Sequence, residues 1–135
     1  MARCLAMMGS RNAKPTVLVV EDEFLLALDI EEILGDLGFH VLGPVGFLSQ
    51  ALEAIEAARF DVALLDVNLH DGENSYRAAD VLTKRGIPFA LMTAYDGSQL
   101  ARYGDHPLLQ KPFDRGELGA CVRHLLESAP ANPAP

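Results

Sequence analysis

Short apolar runs, each ending in a polar group, recur along this chain of 135 residues. Val17-Leu18-Val19-Val20 runs into Glu21 and Asp22, Val62-Ala63-Leu64-Leu65 into Asp66, Phe89-Ala90-Leu91-Met92 into Thr93, and Leu108-Leu109 leads to Lys111. Unbroken apolar runs of this length are what strands buried on both faces require. Phe39 to Val45 reads as a further strand despite Gly43 and Pro44, and Asp61 to Val67 and Pro107 to Gln110 bracket two of the others. The segments between strands repeat their apolar residues at helical spacing. Leu26, Ile30, Ile33, Leu34 and Leu37 predict a first helix closed by Gly38. Ser49 is placed to cap a second, bearing Leu52, Ile55 and Ala58, and Ser75 a third through Ala79 and Leu82 to Gly86. Asp96 to Tyr103 reads as a short helix, and Asp114 caps a last one with the stripe Leu118, Cys121, Val122, Leu125 and Leu126.

Strands joined by helix-length crossovers lie parallel, with helices covering both faces of the sheet. Five such units in one small domain predict an α/β, flavodoxin-like (βα)5 doubly wound parallel sheet with strand order 2-1-3-4-5. Sheets of this kind take their ligands outside the carboxyl ends of the strands, at the switch point between strands one and three. Those two strands deliver Glu21, Asp22 and Asp66, and Thr93 and Lys111 end strands of the same sheet. Carboxylates, a hydroxyl and an ammonium are therefore expected to converge at one edge.

Length allows a single core without a disulfide or metal staple. Residues 1–14 lack periodicity and read as a loose N-terminal segment, 15–128 as the domain, and 129–135 as a disordered Ala/Pro-rich tail, with no second domain. A formal net charge of −8 disfavours nucleic acid as a direct partner, since phosphate backbones are bound by Lys and Arg, and fits a cation or a protein better. No run approaches a membrane span or a signal-peptide core. Cys4 and Cys121 lack zinc or redox spacing; Cys121 reads as a small core residue, and a reducing cytoplasm is the compartment this usage suggests. His40, His70, His106 and His124 are scattered and receive no metal role.

Three carboxylates held together must take up a proton or a cation. An all-oxygen set suits Mg²⁺, which keeps several waters and borrows one or two carboxylates plus a phosphate oxygen. Asp66 is then a nucleophile toward phosphorus, Thr93 a hydroxyl donor to one phosphoryl oxygen, and Lys111 a mobile point charge for another. The Lys111-Pro112 bond invites a cis peptide. Asp22 and Glu23 could merely complement the positive end of the first helix. Asp66, Thr93 and Lys111 in register favour a site.

Val-Val-Glu-Asp-Glu at the first strand end, Leu-Leu-Asp-Val-Asn-Leu at the third, Met-Thr-Ala at the fourth and Gln-Lys-Pro-Phe at the fifth together resemble the receiver domain of two-component response regulators. The resemblance covers roughly Pro15 to Ser128. It implies that Asp66 accepts a phosphoryl group from a sensor histidine kinase or a histidine phosphotransfer protein, with Mg²⁺ as cofactor. Glu21, Asp22, Asp66 and the backbone carbonyl of Asn68 would hold the metal, and Thr93 and Lys111 would read the phosphate. The side chains of Asn68 and Tyr95 occupy positions that tune phosphoryl lifetime in receivers.

Two departures stand out. Receivers usually carry an aromatic switch residue three positions before the lysine, where this chain has Leu108, a residue expected in the core. Tyr95 is the candidate substitute, since Thr93-Ala94-Tyr95 resembles the Thr-Gly-Tyr-like segment of a subgroup of stand-alone receivers. The first acid is Glu21 rather than the commoner Asp. A module of this kind has no turnover beyond self-phosphorylation and slow autodephosphorylation. It would signal by binding an unnamed downstream protein, with no output domain and no membrane contact. Homodimers through the last helices occur among receivers, and nothing in this sequence demands one. Alternatives are a non-phosphorylated pseudo-receiver, a flavodoxin-like ligand binder, and a haloacid-dehalogenase-type phosphatase. Flavin phosphate would need a Ser/Thr/Gly-rich first turn, which is acidic here. The phosphatase needs a second acid two residues past the nucleophile, where this chain has Asn68.

Overall fold

The computed structural model describes residues 14–94 and 106–128. Its elements are β1 (Thr16–Val20), α1 (Phe24–Asp36), β2 (His40–Val45), α2 (Leu48–Ala57), β3 (Val62–Asp66), a 3-10 turn (His70–Gly72), α3 (Tyr76–Arg85), β4 (Phe89–Thr93), β5 (Leu108–Gln110) and α4 (Arg115–Ser128). The expected helix Asp96 to Tyr103, Tyr95, residues 1–13 and the tail 129–135 lie outside the described residues.

All five strands pair in parallel in the order β2-β1-β3-β4-β5. Successive side chains of a strand point to opposite faces, and here each face finds a helical layer. Val17, Val19, Val62 and Leu64 meet Ile30 and Leu34 of α1 and Leu118, Val122 and Leu125 of α4. Leu18, Val20, Ala63 and Leu65 meet Ala51 and Ile55 of α2 and Ala78, Ala79 and Leu82 of α3. The three central strands, buried at nearly every position, are why their sequences run apolar without alternation.

The helix ends depart from the sequence reading in instructive ways. α2 starts at Leu48, which puts Ser49 inside the first turn; the cap comes from Gln50, whose Oε1 accepts the Gly46 and Phe47 N–H groups, each at 3.3 Å. Ser75 does precede α3, yet its Oγ is buried without a partner, and Asn74 Oδ1 accepts the Tyr76 N–H at 3.0 Å instead. α3 stops at Gly86, whose φ of 70° is the left-handed conformation that glycine adopts freely. Asp114 caps α4 as expected: its Oδ1 accepts the Glu117 N–H at 2.7 Å, and Glu117 Oε1 accepts the Asp114 N–H at 2.9 Å. Cys121 is half-buried against the α1/α4 core, and burial pushes its thiol up to about 11.

Leu108 is 40% exposed and not a core residue. β5 is an outer strand, and Leu109, on its opposite face, takes the buried position. No helix among the described residues is long and apolar enough to cross a membrane.

Candidate functional site

Strand register decides which side chains share the carboxyl edge of the sheet. Val20 lies beside Leu65, so Glu21 and Asp66 follow on adjacent strands. Asp66 pairs with Met92, and Thr93 with Gln110, which sets Lys111 one residue beyond β5. Backbone bonds hold these ends in place: the Glu21 N–H donates to Val45 O at 2.9 Å, and the Lys111 N–H to Thr93 O at 2.7 Å. The Lys111-Pro112 peptide is cis, as the sequence invited, and so is Gly43-Pro44.

Lys111 sits between two acids. Its Nζ lies 3.1 Å from Glu21 Oε1 and 3.2 Å from Asp66 Oδ2. The Glu21 side chain is fully buried and the Asp66 side chain nearly so, whereas Asp22 is about a quarter exposed. Glu21 Oε2 accepts the Glu23 N–H at 3.0 Å, which anchors that carboxylate from the turn into α1. Thr93 is buried at the end of β4. Asn68 is exposed, two residues past β3, and bridges to Asn74.

Three carboxylates against one ammonium leave the pocket electron-rich. Burial raises the Asp66 pKa first, and hydrogen bonding and repulsion from Glu21 raise it further; Lys111 offsets only part of this, so Asp66 is pushed up to about 8. Burial by itself would push the Lys111 ammonium down, but Asp66 and Glu21 more than offset that and hold it above its usual value.

Glu21, Asp22 and Asp66 each offer an oxygen, all within 4.8 Å of one another, so these three could hold a metal ion. Glu21 Oε1 is buried and paired with the Lys111 ammonium at 3.1 Å, and a carboxylate oxygen so placed keeps a lone pair that can face a cation. Hard carboxylate oxygens suit Mg²⁺.

The site residues read from the sequence thus fall as follows. Glu21, Asp22, Asp66 and Lys111 form one cluster, and Thr93 ends the strand adjoining Asp66. Asn68 lies on the loop above them, Leu108 stands on β5 two residues before Gln110, and Tyr95 is outside the described residues. One neighbour escaped the sequence reading. His70, given no metal role there, brings its Nδ1 to 3.9 Å from Asp22 Oδ2. Its position four residues after Asp66, on the same sheet edge, was the available signal.

A doubly wound α/β domain with an acid-rich, lysine-paired pocket at its switch point is the class that fold and site define. The chain belongs to the response regulator receiver domain family, whose model matches residues 17–123. Receivers are modules of two-component signalling, generally not turnover enzymes. The chain is 32% identical over 114 residues to the phyllosphere-induced regulator PhyR of Methylorubrum extorquens, a match covering 82% of this chain and 43% of PhyR. Against the solution structure of SdrG from Sphingomonas melonis Fr1 the TM-score is 0.74 at 38% identity, covering 84% of this chain and 97% of SdrG. Against the receiver domain of the sensor histidine kinase PA1611 from Pseudomonas aeruginosa PAO1 it is 0.75 at 28% identity, covering 85% and 99%. That structure has a magnesium ion coordinated in the active site cleft. The chain spans about half the length of the curated relatives it matches.

Proposed function

We propose that this receiver, comprising residues 15–128, accepts a phosphoryl group on Asp66 in a Mg²⁺-dependent reaction with the phosphohistidine of a sensor histidine kinase or histidine phosphotransfer protein. The observation that carries this reading is Lys111 Nζ 3.2 Å from Asp66 Oδ2, with the Glu21 and Asp22 oxygens clustered on the same carboxylate. A nucleophile, a metal-binding acid pair and a phosphate-pairing cation thus stand together.

A carboxylate oxygen of Asp66 attacks phosphorus. The P–N bond to the donor imidazole breaks, and the imidazole leaves with that electron pair and takes a proton from water. Glu21, Asp22, Asp66 and the Asn68 carbonyl would hold Mg²⁺, which when bound would supply charge to offset that of the phosphoryl oxygens and would favour the deprotonated Asp66 carboxylate. Lys111 passes from the Asp66 carboxylate to a phosphoryl oxygen, and the Thr93 hydroxyl donates to another. The side chains of Asn68 and Tyr95 govern water access and hence lifetime. Leu108 cannot supply the ring that most receivers use at its position, so Tyr95 takes the switch role.

The phosphorylated form signals in the cytoplasm by binding another protein. Support for protein contact comes from α1, where Phe24, Leu25 and Leu28 are exposed by 72%, 74% and 45% within a turn or two of Asp22. Three apolar side chains on one solvent-facing stretch of a helix fit a docking surface.

Incubation with acetyl phosphate and Mg²⁺ should add one phosphoryl group, stable in acid and labile in base, that Asp66→Ala abolishes and EDTA prevents. Absence of the adduct from the wild-type chain, or equal labelling of Asp66→Ala, would overturn the assignment and leave the pseudo-receiver reading.

A further inference from the structure

We propose that His70 is a positioning residue for Asp22, held in place by Phe47 and by the bare backbone of Gly46, so that the loops after β1, β2 and β3 are locked together around the cation pocket. The inference rests on the proposed role of Asp22 as a metal ligand.

The acids of the pocket are not equally restrained. Lys111 grips Glu21 and Asp66, and Glu21 also takes a backbone N–H. Asp22 is the most exposed of the three; it shares a side-chain hydrogen bond with Asp66, and from the loop after β3 His70 brings its Nδ1 to 3.9 Å from Oδ2. That span exceeds a direct hydrogen bond. With its proton on Nδ1, the imidazole would turn an N–H dipole toward the carboxylate across that span.

The imidazole itself is fixed from two sides. Its ring packs on Phe47, with centroids 4.7 Å apart and planes inclined by 36°. Its backbone N–H points at Gly46 O across 3.5 Å. Gly46 runs so close that a Cβ there would stand 3.0 Å from His70 Cδ2, 3.2 Å from its Nε2 and 3.3 Å from Asp22 Cα. A Cβ at position 46 would therefore press on the imidazole and on the Asp22 backbone, which would have to give by a few tenths of an ångström. Gln50 anchors the same loop from behind through the Gly46 and Phe47 N–H groups. The turn carrying His70 is closed by the Glu73 N–H donating to His70 O at 3.2 Å and the Leu69 N–H to Glu73 O at 2.8 Å.

Groups that orient a metal-binding carboxylate from outside typically contribute 10- to 100-fold in metal affinity. Two substitutions separate the N–H from the ring. His70→Phe keeps the contact with Phe47 and removes the donor, while His70→Asn keeps an N–H close to where Nδ1 stands and gives up the ring. Calorimetric titration of the full chain with Mg²⁺ should show His70→Phe weakened about tenfold and His70→Asn restored to within a few-fold of wild type. Gly46→Ala should weaken binding in the same direction. Unfolding midpoints in EDTA should stay together for the two His70 variants, because the side chain is half exposed. His70→Phe binding Mg²⁺ as tightly as wild type, or His70→Asn as weakly as His70→Phe, would overturn the positioning role while leaving the phosphoacceptor reading intact. Failure of the wild-type chain to bind Mg²⁺ would overturn both.

Discussion

Asp66 and Lys111 form a pair whose protonation depends on their company. With its folded pKa near 8 against a usual 3.8, Asp66 retains in the folded state a proton that the unfolded chain has released. Stability from this source is fully present below about pH 4 and is lost as pH rises toward 8. In EDTA, the wild-type unfolding midpoint should therefore fall across that window. Asp66→Asn, which needs no proton to stay neutral, should flatten the decline and raise the midpoint at pH 8 by roughly 3–8 °C. An unchanged slope in the variant would mean that another group is responsible. Lys111→Met probes the other partner. Removing the ammonium leaves Glu21 and Asp66 facing each other inside the protein, so urea unfolding in EDTA at pH 8 should report a loss of about 3 kcal/mol. A loss under about 1 kcal/mol would show the pair to be solvated.

At the scale of elements, the strands were readable because burial on both faces leaves an unmistakable apolar run, and Val62 to Leu65 is buried throughout as that run implies. Caps were harder to assign. Ser49 and Ser75 have the right chemistry and near-right positions, but whether a hydroxyl meets an N–H depends on the torsion of the entering loop, and Gln50 and Asn74 took those bonds. Asp114 was legible because its partner Glu117 lies three residues on, a reciprocal arrangement local to one turn. Asp114→Ala should cost about 1 kcal/mol in denaturant unfolding. Adding Glu117→Ala should cost less than its own single substitution, since the two share one cap. Leu108 went the other way from its expected core position because β5 closes one side of the sheet and buries Leu109.

For the molecule as a whole, the sheet brings a chemical site and an apolar helix face within reach of a single partner. On the proposed function, a donor protein reaching Asp66 would meet the start of α1 close by, where Phe24, Leu25 and Leu28 stand in solvent. Leu25→Ser and Phe24→Ser should slow phosphotransfer from a cognate kinase about tenfold or more while leaving labelling by acetyl phosphate unchanged, because the small donor needs no docking surface. Equal slowing with both donors would place the defect in the pocket itself. The acidic balance of the chain, −8 in formal charge, acts at this scale too, by drawing cations toward the pocket.

The sequence by itself determined the parallel doubly wound sheet and its strand order, and placed Glu21, Asp22, Asp66, Thr93 and Lys111 at strand ends on one edge, because strand burial and strand ends leave marks in local residue order. Tertiary structure alone decided that Lys111 spans Glu21 and Asp66, and that His70 comes against Asp22 over a backbone without a side chain. Those facts depend on distances between loops remote in the chain. Such distances are set by how the helical layers seat on the sheet, which no stretch of neighbouring residues encodes.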